Sequence, residues 1–163
     1  MKVFASVGSV LPFDRLVQAV DGWSAANPQH EVFIQIGDGA HEPAHAPWKR
    51  TMPHPDYHAL LAGCDLFVAH VGMGSILQAL ELQKQTLLMP RRASLREHTT
   101  DHQLHTADRF RDTPGILIVD EPEQLTAAMS RLLENPLQRG EALSSRAPAS
   151  FTDRIAAYLK TGR

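Results

Sequence analysis

The chain has 163 residues, 43% of them hydrophobic and 21% charged, ordinary globular values that exclude wholesale disorder. Its 16 basic residues face 18 acidic ones, a net charge of −2 with histidine neutral. No cationic surplus therefore points to nucleic acid or an anionic membrane surface. The length suits a single domain, 1–163, and a domain of about 150 residues buries roughly 68–70% of its unfolded surface. The one cysteine, Cys64, allows no internal disulfide and no zinc site of paired cysteines, and fits a reducing compartment. Nine histidines make the net charge sensitive to pH near neutrality.

In chain order, Lys2–Val7 reads as a strand ended by Gly8-Ser9. The stretch Val3–Phe13 is not read as a signal segment, because its positive flank is only Lys2 and no small-residue cleavage site precedes Asp14. Phe13, Leu16, Val17, Val20 and Trp23 recur at helical spacing until Asn27-Pro28 stops them. Val32–Ile36 is a second strand, closed by Gly37-Asp38-Gly39. Four prolines (43, 47, 53, 55) make 40–56 a long loop with room for a short strand, and Asp56–Cys64 suits a short helix. Leu66–His70 is a buried strand and Gly74–Gln83 a helix, and Thr86–Met89 is a strand before Pro90. The uncharged run Leu66–Gln83 is broken by His70, Gly72, Gly74, Ser75 and Gln78, so it is not a membrane span. A polar stretch, 91–103, precedes a helix to about Arg111, and Ile116–Val119 is a strand. Leu125, Ala128, Met129, Leu132 and Leu133 mark an amphipathic helix broken at Asn135-Pro136. Residues 137–150 are weakly specified, and Phe151–Leu159 reads as a last helix that packs on its own sheet or docks a partner.

Apolar strands separated by helices imply an α/β domain, a Rossmann-like parallel sheet with helices on both faces. Ligands of such sheets lie outside the carboxyl ends of the strands. The loops after Val7, Ile36, His70 and Met89 are the places to look. In His70-Val-Gly72-Met-Gly74-Ser75 a buried strand enters a glycine turn that opens a helix. Backbone N–H groups there can approach a ligand, and the helix N-terminus favours negative charge. It lacks the Lys of a Walker loop and the third glycine of a dinucleotide fingerprint. An ordinary tight turn is an equally good reading of a bare Gly-x-Gly. The stretch Pro90–Gln103 offers Arg91, Arg92, Arg96, Glu97, His98, Asp101, His102 and Gln103, groups suited to sugar hydroxyls and phosphates but also to a solvated loop. His41, His45, His54 and His58 match no helical metal spacing except the His54/His58 pair, which contains Pro55, so no metal site is expected.

Taken together, Phe13-Asp14-Arg15-Leu16, Gln35-Ile36-Gly37, His70-x-Gly72-x-Gly74-Ser75, Pro90-Arg91 and Asp101-His102-Gln103 appear in one order. This pattern resembles the C-terminal, donor-binding half of family 28 glycosyltransferases of the GT-B fold, over roughly residues 2–135. It is most similar to short bacterial exopolysaccharide transferases, and also to the catalytic subunit of the eukaryotic two-subunit transferase acting on dolichol-linked glycans.

The resemblance implies a UDP-sugar donor, no cofactor or obligatory metal, and transfer with inversion to a lipid-linked acceptor. Gly72, Gly74 and Ser75 would hold the diphosphate, with His70 beside them and Arg92 adding charge. Gly8 and Ser9 would border the cleft, the region of Met52 would pack on the uracil, and Gln103 with Asp101 would hold donor sugar or ribose. Many relatives carry Glu eight residues after the motif histidine. This chain has Gln78 there, with Glu81 as a substitute. Candidate bases are Glu97 and His98, with Asp14 and His70 behind them. One Rossmann-like half is expected to need an acceptor-binding partner polypeptide that is membrane-anchored, placing the chain in the cytoplasm at the inner face of the membrane. A non-catalytic sugar-nucleotide-binding module is the alternative.

Overall fold

The computed structural model describes residues 1–138 and 149–161. Strand β1 (Lys2–Ser6) leads into α1 (Asp14–Ala26), β2 (Glu31–Gln35), a two-residue β3 (Trp48–Lys49) and α2 (His54–Gly63). Then follow β4 (Leu66–His70), α3 (Met73–Glu81), β5 (Thr86–Met89) and a single 3-10 turn (Ala93–Leu95). The chain continues through α4 (His102–Phe110), β6 (Ile116–Ile118), α5 (Pro122–Glu134) and α6 (Ala149–Thr161). All strand pairings are parallel, in the order β3-β2-β1-β4-β5-β6. The order reverses between β1 and β4, and that reversal opens a crevice at the carboxyl ends of these two strands.

Helices cover both faces. Leu16, Val17 and Val20 of α1 and Leu125, Met129 and Leu132 of α5 pack on Val3, Ala5, Ile34, Val68 and Leu87. On the other face Leu61 of α2, Ile76 and Ala79 of α3 and Ala107 of α4 meet Phe4, Phe67, Ala69 and Leu88. Each fully buried Leu, Ile or Phe contributes roughly 1.5–3 kcal/mol. Trp23 Nε1 donates to Ser130 Oγ at 2.9 Å, tying α1 to α5.

The long proline-rich loop is anchored at one point. Buried Asp21 on α1 accepts the N–H groups of Ala44, His45 and Ala46 at 2.9–3.0 Å. Burial raises its pKa, but these three bonds outweigh that and the net shift is downward.

Two expectations change. Pro55 sits in the first turn of α2, where its missing N–H costs nothing. His54 and His58 therefore do stand one helical turn apart, their rings stacked at 6.3 Å. The last helix does not pack its stripe on the sheet: Ile155, Tyr158 and Leu159 are 45%, 60% and 77% exposed. Most of the weakly specified stretch, 139–148, lies outside the described residues.

Candidate active site

The crevice at the β1/β4 switch point is a cleft of about 570 Å³. Its floor is a buried polar network. Ser6 Oγ donates to Gln35 Oε1 at 2.6 Å and accepts the Gly8 N–H at 3.1 Å. The Tyr57 hydroxyl from α2 reaches the side chains of Ser6 and Ser75, and burial pushes its pKa up.

After β1 the chain turns through Gly8 at φ +79°, and after β4 it turns through Gly72, the N-cap of α3. The His70 ring lies between these two glycines. A Cβ on Gly8 would sit 2.8 Å from His70 Cε1, and one on Gly72 would overlap His70 Nε2. Gly72 thus makes room for the histidine rather than for a ligand, and Gly8 is required by its positive φ as well as by the same ring. Gly74 differs: a Cβ there meets nothing within 4 Å. Its face opens onto the cleft, where the Met73, Gly74 and Ser75 amides head α3 without intrahelical partners.

Burial first, and the Arg91 charge second, push the His70 pKa down to about 4. The ring is therefore neutral near pH 7. The unfolded value is about 6.5, so as pH falls the unfolded chain takes the proton first. The resulting stabilisation is fully present above about pH 6.5 and is lost between about 6.5 and 4, up to about 3 kcal/mol. A His70→Asn variant is expected to show a shallower loss of urea midpoint across that window. An identical pH slope in both proteins would assign the titration elsewhere.

Arg91 is only 3% exposed. It donates to the carbonyls of Val7, Leu11 and Pro12 and lies 5.3 Å from the centroid of the Phe13 ring. It thereby pins the β1–α1 loop to β5. Gln103, 2% exposed, accepts the Arg91 N–H at 3.1 Å, which leaves its amide nitrogen as a donor.

Gly8, Ser9, Met52, His70, Gly72, Gly74, Ser75, Gln78, His98 and Gln103 all line the cleft. The Gln78 Oε1 is buried without a partner, an acceptor in the place foreseen for ribose. Glu81, the substitute, does not line it.

The structure places four foreseen residues elsewhere. The Glu97 carboxylate takes Arg15 Nε at 2.8 Å, Arg15 Nη2 at 3.0 Å and the Arg92 N–H at 2.9 Å, so it is a poor candidate base. Arg92 reaches the Asp120 carbonyl and pairs with Glu121 at 2.7 Å. Asp101 accepts the Ala93 N–H at 2.8 Å. Asp14, the reserve base, accepts the amides of Ala40 and His41. The cleft instead gains Arg91, Tyr57, Gln35, His54 and His102. Gln35 was legible as a polar residue at a buried strand end, but Tyr57 carried no sequence signal.

A larger groove of about 760 Å³ sits near the amino ends of β1 and β2, lined by Phe4, Phe33 and Leu60 among others. It has neither a glycine turn nor a free helix N-terminus, so the smaller cleft is the better candidate. Among the described residues no three His, Cys, Asp or Glu converge as metal ligands.

A parallel sheet whose switch-point cleft holds a free helix N-terminus and glycine turns defines a Rossmann-like domain of the GT-B type. The glycosyltransferase family 28 C-terminal domain matches residues 3–159, and the chain belongs to that family. Among solved structures, it superposes on the calicheamicin glycosyltransferase CalG4 with TM-score 0.61 and 20% identity, covering 98% of this chain and 43% of that one. For ALG13 in solution the values are 0.59 and 17%, with 94% of both chains covered. For the glycosyltransferase VinC in complex with dTDP they are 0.55 and 20%, covering 83% and 34%. The chain thus spans less than half the length of CalG4 and VinC. No curated protein matches the sequence.

Proposed function

We propose that this glycosyltransferase domain binds a UDP-sugar and transfers the sugar, with inversion, to a lipid-linked acceptor in exopolysaccharide or glycolipid synthesis. The observation that carries this reading is the free N-terminus of α3 at the switch point, beside neutral His70, in a family 28 domain. The diphosphate would sit on the amides of Met73, Gly74 and Ser75, with the Ser75 hydroxyl and Arg91 nearby. Gln78 Oε1 would accept from ribose, and Met52 would pack on the base.

In the transfer an acceptor oxygen attacks the anomeric carbon as the bond to the β-phosphate oxygen breaks. The nucleoside diphosphate leaves with the bonding pair, and the acceptor proton passes to a base. His98 is poorly arranged for that task. Its Nδ1 accepts the Thr100 N–H at 3.2 Å, so the neutral ring carries its proton on Nε2 and donates there. The base then belongs to an acceptor-binding polypeptide that closes the cleft, and the exposed stripe of α6 would add to the docking surface. Among the described residues no helix is long and apolar enough to cross a membrane. Membrane association at the cytoplasmic face would come from that partner.

Thermal shift is the first test. UDP at a hundredfold excess over Kd stabilises a one-site native state by about 2.7 kcal/mol. A clear rise with UDP and none with free sugar is expected. Sugar transfer is expected only when the membrane fraction holding the partner is added. Binding without transfer under every such condition would leave the non-catalytic module, and no UDP binding would reject the reading.

A further inference from the structure

The cleft has an unusual charge balance. No Asp or Glu is among its described lining residues, although the chain has more acidic than basic residues. Arg91, His54, His70, His98 and His102 all line it. The two carboxylates of the 91–103 stretch are spent elsewhere, Glu97 on Arg15 and Asp101 on the Ala93 amide.

Away from α3, which carries the unpartnered acceptor Gln78 Oε1, the hydrogen-bonding groups are biased in the same direction. Gln35 Oε1 is taken by Ser6 and Gln103 Oε1 by the Arg91 N–H. On the β5–α4 wall this leaves as donors the Gln103 amide nitrogen and the His98 Nε2–H, beside the His102 ring. A neutral hexose is held through hydroxyls that donate as well as accept, and such sites need acceptors. A carboxylate only accepts.

His98 and His102 meet edge to face with ring centroids 4.3 Å apart. Thr100 engages both. Its N–H donates to His98 Nδ1, and its Oγ1 lies 2.9 Å from His102 Nδ1. The Nε2 edge of each ring remains for a ligand. Burial first, then the neighbouring His102 and Arg91, hold the His98 pKa down, so the ring offers a carboxylate a neutral Nε2–H donor beside the Arg91 charge. The diphosphate has its own donors on α3, on a different wall.

We propose that the His98–His102 corner recognises a carboxylate on the donor sugar, so that the preferred donor is a nucleoside-diphosphate hexuronate. The proposal rests on the sugar-nucleotide reading above and names the substrate class within it.

The test uses the full chain and calorimetric Kd values for UDP, UDP-glucose, UDP-N-acetylglucosamine and UDP-glucuronate at pH 7. UDP-glucuronate is expected to bind at least about tenfold more tightly than either neutral donor. The ratio of the two Kd values is the readout, so a general loss of affinity does not count. In the His98→Gln/His102→Gln double variant that ratio should collapse to within about twofold. His102 is exposed, so His102→Glu should fold, and it should reverse the preference. Equal wild-type binding of neutral and uronate donors, or a preference that survives both variants, overturns the proposal. If UDP itself does not bind, the sugar-nucleotide reading falls and this proposal with it. UDP binding without uronate preference removes this proposal alone.

Discussion

Glu97→Ala is expected to lower the unfolding free energy by about 3–5 kcal/mol. The side chains of Arg15 and Glu97 are only 16% and 10% exposed. The pair is bidentate, and Glu97 also accepts the Arg92 amide. Removing the carboxylate leaves the buried Arg15 guanidinium with the carbonyls of Pro90 and Asp120 and only the half-exposed Glu121 carboxylate at 3.7 Å, and it orphans a backbone donor. A buried charge left unpaired costs far more than the intact pair contributes. Replacing both partners, as in Arg15→Leu/Glu97→Leu, should therefore recover much of the loss. Urea midpoints of the two variants and wild type decide the matter. An unchanged midpoint in Glu97→Ala, combined with lost transfer in the presence of partner, would return Glu97 to the chemistry.

Gly74→Val and Gly72→Ala are expected to fail in different ways. At Gly74 the new side chain meets no protein atom, and the residue is in the first turn of α3. Melting should be within about 1 kcal/mol of wild type, since valine has the higher helix propensity. The same side chain would stand in front of the Met73–Ser75 amides. Losing one or two charge-assisted hydrogen bonds, each about 1.5–3 kcal/mol, corresponds to UDP binding weaker by about tenfold to ten-thousandfold. At Gly72 even a methyl group collides with His70, so binding and stability should fall together. Calorimetry with UDP, alongside thermal melts, separates the two. Wild-type affinity in a folded Gly74→Val protein would remove the diphosphate from α3.

The chain order of strands and helices was readable because its signals are local. Leu66–Ala69 and Thr86–Met89 are buried strands of a parallel sheet, and such strands read as nearly continuous apolar runs. The glycine turn after His70 was readable for the same reason. The role of its glycines was only half readable: Gly74 opens onto the cleft as a ligand cradle requires, whereas Gly72 makes space for an imidazole two residues earlier. The His54/His58 pair was misjudged because proline in a helix's first turn is permitted.

The composition, the α/β alternation, the loops at the carboxyl ends of the strands and the anion-accepting start of α3 were determined by the sequence itself. Each depends on hydrophobic period or turn chemistry within a few residues. Only the tertiary structure decided which polar side chains of the 91–103 stretch enter the cleft. Glu97 is turned away by Arg15, a partner 82 positions distant, whereas Arg91 is drawn under the cleft by carbonyls of the β1–α1 loop. Adjacent residues of the same type, Arg91 and Arg92, thus receive opposite assignments. That choice is made by partners brought together across the sheet, and no local pattern encodes their distance.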